Sequence, residues 1–379
     1  MLKKEVGMIS VIKTLALLWS DTIIVFLHKG VVVQKLNGMK SVALGSALIF
    51  AALNGAYAME HNTLPGFTEG AEVINIATHQ AQIDSIGDVV YEQIKDTRSV
   101  RQMHMSVLIP RTDVKKPAII YFPGGGFTSA EHDKFIEMRM ALAEAGFVVA
   151  AAEYRTVPDV FPAPVVDGKA AVRYLREHAE EYGIDPQRIG VLGDSAGGWL
   201  VQMLGTTNNE KSFDKGDFLN QPSNVQAVVS LYGLSDLRDI GEGFPQEIQK
   251  VHKSPAVTEA LLINGPAFRN FAGASISESS EKALQASPVG HVKGSIPPFL
   301  IMHGSADSLV SPLQSAKIFK ALKNNGTDVE YTLVSGAEHG DYRWYQPEVI
   351  KRIVSWFSQK LNIQQKEKND VKVDPDASL

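Results

Sequence analysis

The sequence predicts an α/β fold: a mostly parallel sheet with helices on both faces and a cap insertion. Three observations carry this. Short apolar runs alternate with segments of helical period over most of the chain, as when strands are joined by crossover helices. Two of the runs, AIIYF (118–122) and FVVAAA (147–152), are apolar without alternation, as strands buried on both faces are. Gly146 and Gly183 stand where two helices should stop.

The elements follow in order. Met103–Ile109 reads as a strand and Ala118–Phe122 as the next. Asp133 to Ala145 has helical character and closes at Gly146. Phe147–Ala152 is a strand, followed by the proline-rich loop YRTVPDVFPAPVVDG. From Gly168 to Tyr182, the residues Ala171, Leu175, Ala179 and Tyr182 share one helical face. Arg188–Leu192 (RIGVL) is a strand, and a helix restarts over Ala196–Leu204. Val225–Leu231 and Phe299–His303 are further strands. Ser311-Pro312 supplies an N-cap and a proline at the first helical position, opening a helix to about Lys323. Val329–Val334 is the last strand and Pro347–Leu361 the last helix. From about 235 to 292 the alternation fails, which predicts a cap over the sheet edge. Its apolar residues Phe244, Leu261, Leu262, Phe268 and Phe271 read as cap core or pocket wall.

The 379 residues are 44% hydrophobic, ample for a packed core. A net charge of -5 argues against a nucleic-acid partner. Without cysteine there is no disulfide framework, thiolate zinc site or cysteine nucleophile. Residues 39–58 (MKSVALGSALIFAALNGAYA) have a positive start, an apolar stretch and a small-x-small end at Ala58. That is the layout of a cleaved signal peptide, so an exported protein, periplasmic or secreted, is expected. Met39 then becomes the expected translation start, with 1–38 a mis-assigned upstream stretch. Cleavage would leave 31 Lys+Arg against 40 Asp+Glu, because residues 1–58 hold six Lys and two acidic residues. The alternative is a membrane anchor at residues 9–27, which Lys13 and Asp21 interrupt at a cost. No stable membrane span is expected in the mature chain. The organisation expected is a leader over 1–58, an N-terminal extension over 59–89, the main domain over 90–362, and a charged, disordered tail over 363–379.

Ligands in such sheets bind at the carboxyl ends of the strands. After RIGVL comes Gly193-Asp194-Ser195-Ala196-Gly197. A G-x-S-x-G run between strand and helix places its serine on a strained turn with the hydroxyl exposed. A serine hydroxyl needs a base to become a nucleophile, and His339 in GAEHGD lies just after the last strand. A carboxylate must orient that base. Asp307 in HGSADSLVSP keeps the chain order Ser, Asp, His and is favoured over Asp236, whose alternative role is a helix cap or hinge. Acyl transfer also needs backbone N–H groups facing the developing oxyanion. One is that of Ala196, and the glycines of YFPGGGF at 124–126 stand at an early strand end that can supply the rest. A phosphate cradle is disfavoured, since neither G-x-G-x-x-G nor a P-loop lysine is present. Asp194 reads either as a bond to nearby backbone or as a polar turn residue. Arg155 reads as a partner of Asp167 that braces the proline-rich loop.

FPGGGF, the stretch from AEYRTVPDVFPAP through GVLGDSAGG, HGSADSLVSP and AEHG together resemble the α/β-hydrolase superfamily. Within it the chain is similar to hormone-sensitive-lipase-like bacterial carboxylesterases and to the acetyl-xylan and feruloyl esterase group, over roughly residues 90–362. The resemblance implies Ser195 as nucleophile, Asp307 as acid, His339 as base, and Gly125, Gly126 and Ala196 as oxyanion donors. It implies a small ester substrate, such as an acetylated or feruloylated carbohydrate, and no metal or cofactor. The family usually carries histidine before the glycines, where this chain has Pro123. Proline fixes φ and removes an N–H, so it can stiffen the same loop by another route. The rival functions are a serine peptidase of the same superfamily and a non-catalytic binding protein on a hydrolase scaffold.

Overall fold

The computed structural model describes residues 64–362 and, as backbone, the strands at 16–19, 22–27 and 30–35. The chain divides into two compact units, Met1–Ala77 and Thr78–Leu379. In the first, β1 (Ala16–Trp19), β2 (Thr22–Leu27) and β3 (Gly30–Lys35) form an antiparallel sheet. The described part of the apolar stretch at 9–27 is therefore strand. No helix among the described residues is long and apolar enough to cross a membrane. The expected signal peptide at 39–58 and the tail at 363–379 lie outside the described residues.

The second unit is built on β4 (Ile83–Lys95), β5 (Val100–Pro110), β6 (Lys116–Phe122), α1 (Ile136–Glu144), β7 (Val148–Ala152), α2 (Ala163–Glu177), β8 (Ile184–Asp194), α3 (Ala196–Thr206) and β9 (Ala227–Leu231). The short helices α4 (Gln246–Val251), α5 (Thr258–Asn264) and α6 (Ser280–Gln285) follow. Then come β10 (Phe299–Gly304), α7 (Pro312–Asn324), β11 (Val329–Val334) and α8 (Pro347–Lys360). Eight strands form one sheet in the order β11-β10-β9-β8-β6-β7-β5-β4. The six from β11 to β7 are parallel, and β5 runs antiparallel to both β7 and β4.

Every residue of β6, β7, β9 and β10 is buried, because helices cover both faces. Along β6 the side chains alternate between two cores. Ile120 and Phe122 join the core of α2 and α3 with Val172, Trp199 and Leu200. Ile119 and Tyr121 join that of α1 and α8 with Met138, Ile353 and Phe357. Continuous apolar runs are thus what a twice-covered strand requires. Ser311 caps α7 as expected, its Oγ accepting from Leu313 N at 3.3 Å.

Two elements depart from the sequence reading. The sheet begins at Ile83, inside the stretch read as an N-terminal extension, because β4 pairs with β5 along its length. Its register shifts between Ile86 and Val89 and between Val90 and Glu92. Such bulges break the period-2 signal by which a strand is recognised. The helix expected over Gly168–Tyr182 runs instead over Ala163–Glu177, and turns carry the chain on to Gly183. Pro164 sits in its first turn, where a missing N–H breaks no helical bond.

The 235–292 segment carries α4 to α6 and no strand, as expected. Its two ends are stitched together: Val289 N donates to Ser235 O at 3.2 Å and Leu237 N to Ser287 Oγ at 2.8 Å. Ala260, Leu262, Ile276 and Ala283 are buried in the core that holds Trp199. The Trp199 indole N–H donates to Ala286 O at 2.7 Å. Phe268 and Phe271 are exposed instead, on a tight turn closed by two mutual backbone bonds, so they are not cap core.

Candidate active site

Ser195 follows the end of β8 with φ 52° and ψ −117°, a conformation rare for a residue with a side chain. Its backbone N–H donates to Leu231 O at 2.9 Å, tying the turn to the end of β9. The turn is so tight that a Cβ on Gly193 would overlap the carbonyl of Gly197. The structure therefore requires glycine on both sides of the serine.

Ser195 Oγ lies 2.8 Å from His339 Nε2, and His339 Nδ1 lies 2.8 Å from Asp307 Oδ2. A carboxylate only accepts, so Nδ1 carries the proton and Nε2 is free to accept from Ser195. Asp307 is 4% exposed. Burial opposes its charge, but hydrogen bonds from His303, His339 and the Val310 N–H outweigh that, holding its carboxyl well below the ordinary range. Its Oδ1 accepts from the N–H groups of Leu309 and Val310, each at 2.9 Å.

His303, near the end of β10, lies behind this line. It is fully buried, with Nε2 3.2 Å from Asp307 Oδ2 and 3.0 Å from Val310 O. Both partners are acceptors, so Nε2 carries the proton and Nδ1 accepts from Ser315 Oγ at 2.7 Å. The sequence signal was its spacing, four residues before the acid at a strand end. Tyr232 was missed as well. Its ring meets His339 edge-on, 4.7 Å between centroids, and Trp344 backs it at 4.5 Å.

The glycine loop passes directly beside the serine. A Cβ on Gly124 would come within 2.9 Å of Ser195 Cβ. Asp194 Oδ1 accepts from Gly124 N at 2.9 Å and from Tyr121 OH at 2.7 Å. Tyr154 OH donates to Pro123 O at 2.7 Å, and Lys134 Nζ to Gly124 O at 3.3 Å. The loop is thus held by an acid and two tyrosines, with proline at the position of the family's histidine. The N–H groups of Gly125, Gly126 and Ala196 have no partner among the described residues. Unpartnered N–H groups after the serine and in the loop beside it are the kind of donor that a developing oxyanion requires.

This brace predicts a result. Asp194→Ala should lower kcat on a small aryl ester by about 10²-fold, since a misplacement near 1 Å costs that much. Asp194→Asn, which keeps the acceptor, should recover most of it. Steady-state kinetics with equal KM in the two variants would support the brace, and equal kcat values would refute it.

Asp236, the rival acid, accepts from Arg238 at 2.8 and 2.9 Å and does not touch His339. Arg155 and Asp167 form the bidentate pair expected of them, at 2.6 to 3.0 Å. No group of three or more candidate metal ligands exists among the described residues.

Strand order, crossovers and the serine turn are those of the α/β-hydrolase fold. The family model BD-FAE matches residues 105–322, and the chain belongs to that family. It is 33% identical over 205 residues to the probable carboxylic ester hydrolase LipM of Mycobacterium tuberculosis, covering 54% of this chain and 44% of that protein. It is 27% identical over 228 residues to the esterase LipQ of the same organism, covering 59% and 50%. The chain spans about half the length of these curated relatives. Among solved structures it resembles a truncated carbohydrate esterase from gut microbiota, with a TM-score of 0.64, 26% identity and coverage of 76% and 99%. It also resembles an acetyl ester-xyloside bifunctional hydrolase from Caldicellulosiruptor lactoaceticus, with a TM-score of 0.55, 26% identity and coverage of 70% and 91%.

Proposed function

We infer that this protein is an exported serine carboxylic-ester hydrolase acting on a small acyl ester of a carbohydrate. The observation that carries the reading is the unbroken line from Ser195 Oγ through His339 to Asp307. Ser195 Oγ attacks the ester carbonyl carbon and its proton passes to His339 Nε2. Asp307 stabilises the imidazolium, and the N–H groups of Gly125, Gly126 and Ala196 stabilise the oxyanion. The intermediate expels the alcohol, which takes the proton from His339. Water then attacks the acyl-enzyme, giving its proton to His339, and the acid leaves as Ser195 regains its hydrogen. The names of the carbohydrate-active structural relatives support a sugar as the alcohol. The layout of residues 39–58 supports export.

The test is hydrolysis of aryl acetate, butyrate, octanoate and ferulate, with acetylated xylan alongside, by the full chain. Acetate and acetylated xylan should be cleaved fastest, and an aryl phosphonate should label Ser195 in a mass-mapped digest. No turnover of any ester, or a label elsewhere, would sink the reading. Cleavage of peptides in place of esters would move it to a peptidase.

A further inference from the structure

A cavity of about 530 Å³ opens beyond the carboxyl end of β7, between the 155–163 loop and the last residues of β4. Ser195, Asp307 and His339 do not line it. Its size falls within the range of small-ligand sites, about 300–1,000 Å³. Phe161 and Pro162 give it an apolar wall, and Gln93, Arg155 and Asp159 a polar one.

Glu92 also lines this cavity and is 5% exposed. Its Oε2 has no hydrogen-bond partner among the described residues. Burial, reinforced by Asp167 and Asp217 and opposed by Arg155 and Arg173, pushes its carboxyl up to about 7. Buried polar groups are almost always paired, so an orphan on a cavity wall calls for a ligand, water or ion. Gly216 keeps φ at 84°, and a Cβ there would overlap Glu92 Oε1.

The cavity wall and the glycine loop are one hydrogen-bonded unit. Val157 N donates to Phe127 O at 2.8 Å, and Tyr154 holds Pro123. Tyr91, next to Glu92, donates its hydroxyl to Glu153 O at 2.8 Å. A ligand seated here is therefore positioned relative to the serine loop.

We propose that this cavity is a second binding site, taking the neutral sugar rings of an acylated glycan whose ester lies at Ser195. Sugar hydroxyls both donate and accept, so they satisfy Glu92 whether it is charged or protonated. Ring C–H faces suit Phe161 and Pro162. Charges of both signs line the wall, Glu92 and Asp159 against Lys95, Arg155 and Lys215, and Arg155 and Asp159 are already paired with Asp167 and Arg101, so the wall as a whole does not select one sign of charge and a neutral ring fits it.

The identity of the ester end rests on the esterase reading; the sugar site does not. The experiment is calorimetric titration of the chain carrying Ser195→Ala with xylotriose, which has no ester. Saturable binding is expected, weakened at least about tenfold by Glu92→Leu and by Gln93→Trp. Gln93 is exposed, so the second variant narrows the cavity without disturbing the core. Glu92→Leu should also raise Tm, because it removes an unpaired buried acid. No saturable binding, or binding that neither variant weakens, overturns the proposal. If aryl acetates are cleaved and xylotriose does not bind, this proposal alone falls. If xylotriose binds as stated and every ester is inert, the esterase reading falls and the sugar site stands.

Discussion

Ser195→Ala is expected to lower kcat on aryl acetate by about 10⁶-fold, and His339→Ala by a similar factor. The two effects should not add. Each removes one member of a line of two 2.8 Å bonds, and neither remaining residue has another way to move the proton. What survives in either variant is turnover from the N–H groups of Gly125, Gly126 and Ala196 and from binding, which in such enzymes leaves about 10³–10⁴-fold over water. KM should rise toward the dissociation constant of the ester, because an accumulating acyl-enzyme holds it below that value in the native protein. Pre-steady-state traces should show a burst in the native protein and none in Ser195→Ala. A Ser195→Ala protein that retains the burst would place the nucleophile elsewhere.

Asp307→Asn should cost about 10⁴-fold in kcat with the fold intact. The amide keeps the size of the carboxyl but cannot offer two acceptor oxygens. Two ring N–H groups, from His339 and His303, converge on the one oxygen Oδ2. If the amide turns its NH₂ that way, His339 Nδ1 must accept, its proton moves to Nε2, and Ser195 has no base. Circular dichroism would check folding and kcat the loss; a variant within tenfold of the parent would refute this role for Asp307. The acid also links to pH. Its folded pKa lies below its unfolded value of about 3.9. The stability it contributes is therefore complete above about pH 4 and lost only as pH falls further.

The sequence disclosed those parts of the fold that rest on local rules. AIIYF and FVVAAA were legible because a strand buried twice has one composition on both faces. The cap of α7 was legible because Ser311 and Pro312 each satisfy a separate requirement of a helix start. β4 was not, because its bulges scramble the alternation and its pairing with β5 is a tertiary fact. Ser195, His339 and Asp307 were legible as residue types at strand ends. Their convergence at 2.8 Å was not, since it depends on β8, β10 and β11 sharing a sheet. Tyr121 and Tyr154 were invisible for a related reason. Each acts through a neighbour far away in the chain, and neither carries a motif of its own.

The stitched base of the 235–292 segment has a consequence for how this protein can diversify. Ser235 and Leu237 meet Ser287 and Val289 by hydrogen bonds that do not depend on what lies between. Chain-closure entropy grows only with the logarithm of length, about 0.6 kcal/mol per doubling, so the intervening polypeptide is nearly free to lengthen or shorten. A replacement must fill the core places of Ala260, Leu262, Ile276 and Ala283, accept from Phe161 N as Leu262 O does at 2.8 Å, and supply a carbonyl for the Trp199 indole. Grafting a different segment between these staples should exchange substrate preference while leaving phosphonate labelling of Ser195 unchanged. Loss of that labelling in a folded chimera would show that the two are not separable. In such a chimera the segment would be an exchangeable cassette, while the residues after β8, β10 and β11 stay as they are.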